Sequence, residues 1–184
     1  MDIGAGLMDG VIPPTLGRRE DGAVAATPAV DALVRAGVVH RVHEYAHDPT
    51  VASYGREAAD ALGTEPDRVF KTLVTATATG RLAVAVVPVS GELDLKAMAA
   101  ALSEKKVAMA DPAAAERSTG YVVGGISPLG QKRRLATVVD ESASGWPTVF
   151  VSGGRRGLEL ELAPDALVAM TGATLARVAR PRPG

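Results

Sequence analysis

The chain has 184 residues, with 20 basic and 21 acidic side chains and a formal net charge of -1. That length suits one domain with a core of its own, and the charge balance leaves no global field to hold a polyanion, so any nucleic-acid contact must be local or shared. Cysteine is absent, which excludes a protein thiol nucleophile, a disulfide framework and thiolate metal sites.

Residues 1–26 mix glycine, proline and charge without a period and are expected to form a mobile extension, leaving residues 27–184 as a single domain. In TPAVDALVRAG, Thr27 caps a helix, Pro28 takes its first position, and Gly37 ends it. VVHRVHEY reads as a strand up to the turn at Asp48-Pro49, and SYGREAADALG as a helix from Ser53 to Gly63. RVFKTLV follows as a strand, then LAVAVVPV, whose lack of polar alternation fits a strand covered on both faces at the centre of a sheet. DLKAMAAALS, with Leu95, Met98, Ala99 and Leu102 inward, and DPAAAERSTG, capped by Asp111, are helices. YVVGG, LATVVD, TVFVS and LELEL read as short strands, APDALVAMTG as a last helix and ATLARVA as a last strand.

Short strands outnumber helices without regular βαβ alternation. The expected fold is therefore α/β in the α+β sense, a mixed and mostly antiparallel β-barrel surrounded by helices. No apolar stretch approaches a membrane span and no apolar run follows a basic start, so no membrane contact and a cytoplasmic location are expected.

Lys71 stands in the middle of an apolar strand, where a lysine either snorkels to water or is held in a site that needs its charge. In GYVVGGISPLGQKRR, Gly124 and Gly125 permit close backbone approach, Ser127 offers a hydroxyl, and the loop is able to aim amides at an oxyanion or carboxylate; an ordinary strand-ending turn is the plainer reading. VSGGRRGLELEL leads from Ser152 to Glu159 and Glu161, either as a hairpin with a solvated acidic face or as a site sharing the pocket of Lys71. His40, His43 and His47 lie close together, but His40 and His43 fall on opposite strand faces and no ligand set is completed, so no metal is expected. Tyr45 suits packing or a ligand hydrogen bond. Lys105-Lys106, Lys132-Arg133-Arg134 and Arg155-Arg156 are ordinary solvated surface unless they converge on phosphates.

Taken in order, TPAVDALVRAG, HDP, VFKTL, VPVSGELDLK, ADPAAAERSTGYVVGGISPLGQKRRL and VSGGRRGLELEL strongly resemble the YbaK family of Cys-tRNA(Pro) deacylases, relatives of the editing domain inserted in prolyl-tRNA synthetases. The match runs from about Thr27 to the end of the chain and agrees with the barrel expected above. The resemblance implies trans-editing: removal of cysteine from mischarged Cys-tRNA(Pro), and by extension Cys-tRNA(Cys), without a cofactor. It places Lys71 on the family's functional lysine, and Tyr45, Gly124 (with Gly125 and Ser127 in its loop), Ser152 and Glu159 on substrate-binding positions. Close relatives often carry Asp where this chain has Glu159.

In the mechanism associated with that family, the substrate's own thiol attacks its carbonyl and leaves as a thiolactone, which fits a chain with no cysteine. The implied partners are the acceptor end of tRNA(Pro) and prolyl-tRNA synthetase, in a ternary complex that supplements weak, salt-sensitive binding. The alternatives are a deacylase for Ala-tRNA(Pro) or another small aminoacyl-tRNA using activated water, and a non-catalytic module binding a nucleotide or tRNA end.

Overall fold

The computed structural model describes residues 26–51 and 53–182, so the extension expected over residues 1–26 lies outside the described residues except for Ala26. The helices are α1 (Pro28–Arg35), α2 (Tyr54–Leu62), α3 (Leu95–Ala101), α4 (Pro112–Thr119) and α5 (Pro164–Thr171). The strands are β1 (His40–Glu44), β2 (Val69–Thr77), β3 (Leu82–Pro88), β4 (Gly91–Leu93), β5 (Val107–Met109), β6 (Ala136–Asp140), β7 (Val149–Ser152), β8 (Leu158–Leu162), β9 (Thr174–Ala176) and β10 (Ala179–Pro181). Local chemistry sets the helix ends. The Thr27 hydroxyl accepts the Val30 N–H and the Asp111 carboxylate accepts the Ala114 N–H, each ahead of a proline in the first turn. Ser53 precedes α2 but makes no capping bond, and the helix stops at Gly63 in the left-handed region.

The main sheet runs β1-β8-β7-β2-β3-β6-β9, with β5 also on β2, while β4 and β10 form a separate pair. β2–β7, β3–β6 and β6–β9 are parallel and the other pairs antiparallel, so the sheet is mixed and mostly antiparallel as expected. Among the described residues the pairings trace an open path ending at β1 and β9, so the closed ring of a barrel is not formed. β3 is covered on both faces. Val84 and Val86 join the main core with Phe70, Val74, Leu158 and Leu160, whereas Ala83, Ala85 and Val87 meet Met98 and Ala99 of α3. A third cluster packs Val69, Val89 and Phe150 under Ala58 and Ala59 of α2.

Three expectations change. YVVGG is not a strand: Val122 and Val123 are exposed, and the Gly125 N–H turns back onto the Val122 carbonyl at 2.9 Å. Leu95 begins α3 on its exposed side instead of facing inward. ATLARVA is not one strand: β9 ends at Ala176 and β10 starts at Ala179 in a different sheet, and β4, β5 and β10, of three residues each, are too short for alternation to reveal.

Candidate functional site

β2 pairs with β3 along its length on one side. On its other side β7 covers only Val69 and Phe70, and β5 joins only at Thr75–Thr77. Residues 71–73 are left without a strand neighbour on that edge. Because the Val69 carbonyl accepts from Val89 and the Thr77 N–H donates to Arg81, the residues flanking β3, odd-numbered residues aim their backbone groups at β3 and Thr72 aims its N–H and C=O into the opening. A cavity of about 360 Å³ occupies this break. β2 supplies its floor, Tyr54 and Gly55 of α2 one wall, and Pro112 and Ala115 of α4 with Gly124 and Ile126 another. The cavity is therefore an interruption in the sheet edge, not the mouth of a barrel.

Lys71, Gly124, Ser152 and Glu159, separated widely in sequence, all line this cavity. Ser152 and Glu159 are direct cross-strand partners on β7 and β8 and share a face. Glu159 is 8% exposed, and burial alone pushes its carboxyl up to about 8, with no hydrogen bond to it among the described residues. Burial thus favours its neutral, protonated form. Lys71 is half-buried; its Nζ donates to the Gly91 carbonyl at 2.7 Å. Burial lowers its pKa, the nearby Arg182 charge lowers it further, and Glu92 opposes them. The Ser152 Oγ accepts the Gly154 N–H at 3.3 Å.

Gly124 is required where it stands. Its φ is +88°, and a Cβ there would lie 2.7 Å from the Tyr54 ring and 2.9 Å from Arg156 Nε. Arg156 in turn lies over the Tyr54 ring, 4.7 Å from its centroid, and donates to the Val123 carbonyl at 2.7 Å, so loop, helix and hairpin meet at one rim.

Tyr45, Gly125 and Ser127 do not reach the cavity wall. Tyr45 packs beside the α2 cluster, where burial, Glu159 and Glu57 together raise its phenol pKa against a backbone bond to Gly157. The Gly125 N–H is spent on Val122, and a Cβ at this glycine would meet Arg155 backbone at 2.9 Å. Ser127 is fully buried; its Oγ accepts the Leu129 N–H and its carbonyl accepts from Gln131, so it holds the loop together. The expected donor array from Gly124 to Ser127 is thus reduced by the Gly125 amide.

Thr72 is the residue that sequence reasoning passed over. Its Oγ1 is buried in the cavity-lining stretch with no hydrogen-bond partner. The only signal was its place beside Lys71 on the alternate face of the strand. The three histidines each have separate partners: His40 the Val38 carbonyl, His43 Glu161 and His47 Glu57. Among the described residues no group of three potential ligands gathers around a metal position, and no helix is long and apolar enough to cross a membrane.

Such a site has the parts to bind a small polar group beside an ester. It offers a cation, an acid able to exchange a proton with an ammonium, a free hydroxyl, and backbone groups on an open strand edge. Residues 48–170 match the aminoacyl-tRNA editing domain family. A protein of Enterococcus faecalis, EbsC, provisionally described as a Cys-tRNA(Pro)/Cys-tRNA(Cys) deacylase, is 39% identical over 141 residues, covering 77% of this chain and 85% of that protein. The solved structure of a protein provisionally described as a trans-editing enzyme for prolyl tRNA synthetase superposes with a TM-score of 0.74 at 28% identity, over 83% of this chain and 95% of the other. A hypothetical protein gives a TM-score of 0.76 at 27% identity, over 84% of this chain and 100% of its own. The chain belongs to the aminoacyl-tRNA editing domain family, of the YbaK type.

Proposed function

We propose that residues 27–184 form one editing domain that removes cysteine from Cys-tRNA(Pro) by letting the substrate's thiol cut its own ester. The observation that carries this reading is the joint lining of one cavity by Lys71, Thr72, Gly124, Ser152 and Glu159 in an editing-family chain that has no cysteine. The relative named for both Cys-tRNA(Pro) and Cys-tRNA(Cys) supports the choice of amino acid.

In this mechanism the thiolate sulfur adds to the carbonyl carbon of its own residue. The ester bond to the ribose oxygen breaks, that oxygen takes up a proton, and cysteine departs as a four-membered thiolactone that water opens. Lys71 supplies positive charge beside the ester. The Glu159 carboxyl and the open edge at Thr72 receive the α-ammonium, and Ser152 and Gly124 shape the remaining wall. The protein's contribution is positioning and preorganised charge, with the nucleophile brought by the substrate. Prolyl-tRNA synthetase is the partner expected to deliver the mischarged tRNA.

A water-driven route on alanyl ester has one observation in its favour, the lowered pKa of Lys71, which suits a general base. Release of labelled amino acid from Cys-tRNA(Pro), Ala-tRNA(Pro) and Ser-tRNA distinguishes the two. Release from the cysteinyl ester alone, lost in Lys71→Ala, supports thiol assistance. Equal cleavage of the alanyl ester selects the water route, and three intact esters with prolyl-tRNA synthetase present would end the deacylase reading.

A further inference from the structure

Three basic pairs or triplets fall within the described residues, and the structure does not bring them together. Lys105-Lys106 precede β5 beside α3 and Arg155-Arg156 lie at the cavity rim, but Lys132-Arg133-Arg134 join Arg81 and Arg117 around a separate groove of about 890 Å³. Among the described residues no carboxylate lines that groove. In a chain of net charge -1, five cations around one groove are a local departure from the background.

The basic loop is fixed in place. The Lys132 N–H donates to the Thr119 carbonyl at 2.9 Å and the Arg133 N–H to the Ser118 carbonyl at 3.0 Å, which stitches the loop to the end of α4. Two of the five cations have other duties: Arg81 pairs with Glu104, and Arg134 reaches Gly172 at the end of α5. Arg117, Lys132 and Arg133 are exposed and have no carboxylate partner among the described residues.

We infer that this groove binds the phosphate backbone of the tRNA acceptor arm whose aminoacyl end enters the cavity at Lys71; the identity of the RNA rests on the editing reading above. The placement suits it. The two cavities lie on two sides of α4, Pro112 and Ala115 facing one, Arg117 and Ser118 the other. Thr77, at the groove, is six residues along β2 from Lys71, about 20 Å at roughly 3.3 Å per residue. At about 3.4 Å per stacked nucleotide, that span reaches past the unpaired 3′ end to the first base pairs of the stem. A protein partner is the weaker fit, because protein interfaces combine arginine anchors with tryptophan and tyrosine, and among the described residues no aromatic side chain lines the groove.

The test is fluorescence anisotropy with labelled uncharged tRNA(Pro) and with a 3′-terminal tetranucleotide over a series of salt concentrations. The proteins are wild type, Arg117→Ala/Arg133→Ala and Arg117→Lys/Arg133→Lys. Loss of two phosphate contacts weakens tRNA binding about tenfold or more and makes the slope of log K against log salt shallower by about 1.5. The lysine pair restores most of both, and the tetranucleotide binds all three proteins alike. Unchanged affinity and slope in the alanine pair, no detectable tRNA binding by wild type, or loss confined to capture of prolyl-tRNA synthetase would each overturn the assignment. Turnover of a cysteinyl ester on the tetranucleotide, followed in the same proteins, separates the two readings. If the alanine pair cleaves it at the wild-type rate and binds tRNA normally, the groove fails and the deacylase stands. If wild type leaves it intact while tRNA binding still depends on Arg117 and Arg133, the deacylase reading fails and the groove remains an RNA site.

Discussion

Glu159→Gln removes the ionisable carboxyl from the cavity and keeps its shape, which makes it a direct probe of the buried acid. Burial raises the pKa of Glu159 from 4.5 to about 8, so between those values the folded state holds a proton that the unfolded chain releases. Stability contributed by this group is therefore complete below the unfolded value and falls as pH rises. At about 1.4 kcal/mol per pH unit, the linked loss between pH 5 and pH 7 is about 2 to 3 kcal/mol, an upper bound because water entering on ionisation would lessen it. The glutamine variant lacks this loss. Urea unfolding of both proteins at the two pH values cancels every other titration, and with an m-value of about 2 kcal/mol/M the variant's midpoint advantage should grow by about 1 M from the lower pH to the higher. A midpoint difference independent of pH would refute the picture of an unpaired, buried acid.

Thr72→Val replaces an unpartnered buried hydroxyl with a methyl group of similar size; stability rises by up to about 1 kcal/mol while KM for the aminoacyl ester also rises, checked by thermal unfolding and deacylation in parallel. Gly124→Ala forces a left-handed backbone on a residue with a Cβ and drives that Cβ into Tyr54 and Arg156; a cost of about 2 kcal/mol, or a Tm lower by about 6 °C, is expected by calorimetry. Asp140 is buried, yet the bonds it accepts from Ser142, Ala179 and Val178 outweigh that burial and lower its pKa. Asp140→Asn is accordingly less stable than wild type by about 2 kcal/mol near neutral pH. That difference should shrink as pH falls through the native pKa of the aspartate; chemical unfolding at pH 7 and pH 3 measures it.

The sequence carried the elements whose ends are marked by chemistry. Thr27-Pro28, Asp111-Pro112 and the left-handed Gly63 each mark a helix boundary that the structure keeps, and the unbroken apolar run of β3 announced burial on both faces. The strand expected at YVVGG misled because two valines carry strand propensity whatever they pair with, and here nothing pairs with them. Pairing is a non-local property. For the same reason the break in the edge of β2, which lets Thr72 face the cavity, was invisible: it exists because β7 stops and β5 starts, strands distant from β2 in sequence. Ser127 looked like a ligand for its hydroxyl, but that hydroxyl is consumed two residues away by Leu129, a local competition that composition does not reveal.

The break in β2 also bears on solubility. An unpaired strand edge invites a strand from another molecule, and proteins ordinarily blunt such edges with charge, bulges or cover. Here the free stretch is residues 71–73, between segments already occupied by β7 and β5. Lys71 lies within it, and α4 and the Gly124 loop wall it in. An incoming strand would find too few consecutive partners to zip, whereas a single small polar molecule needs no more than one or two. The same interruption that exposes backbone for recognition therefore keeps the sheet from serving as a template for aggregation.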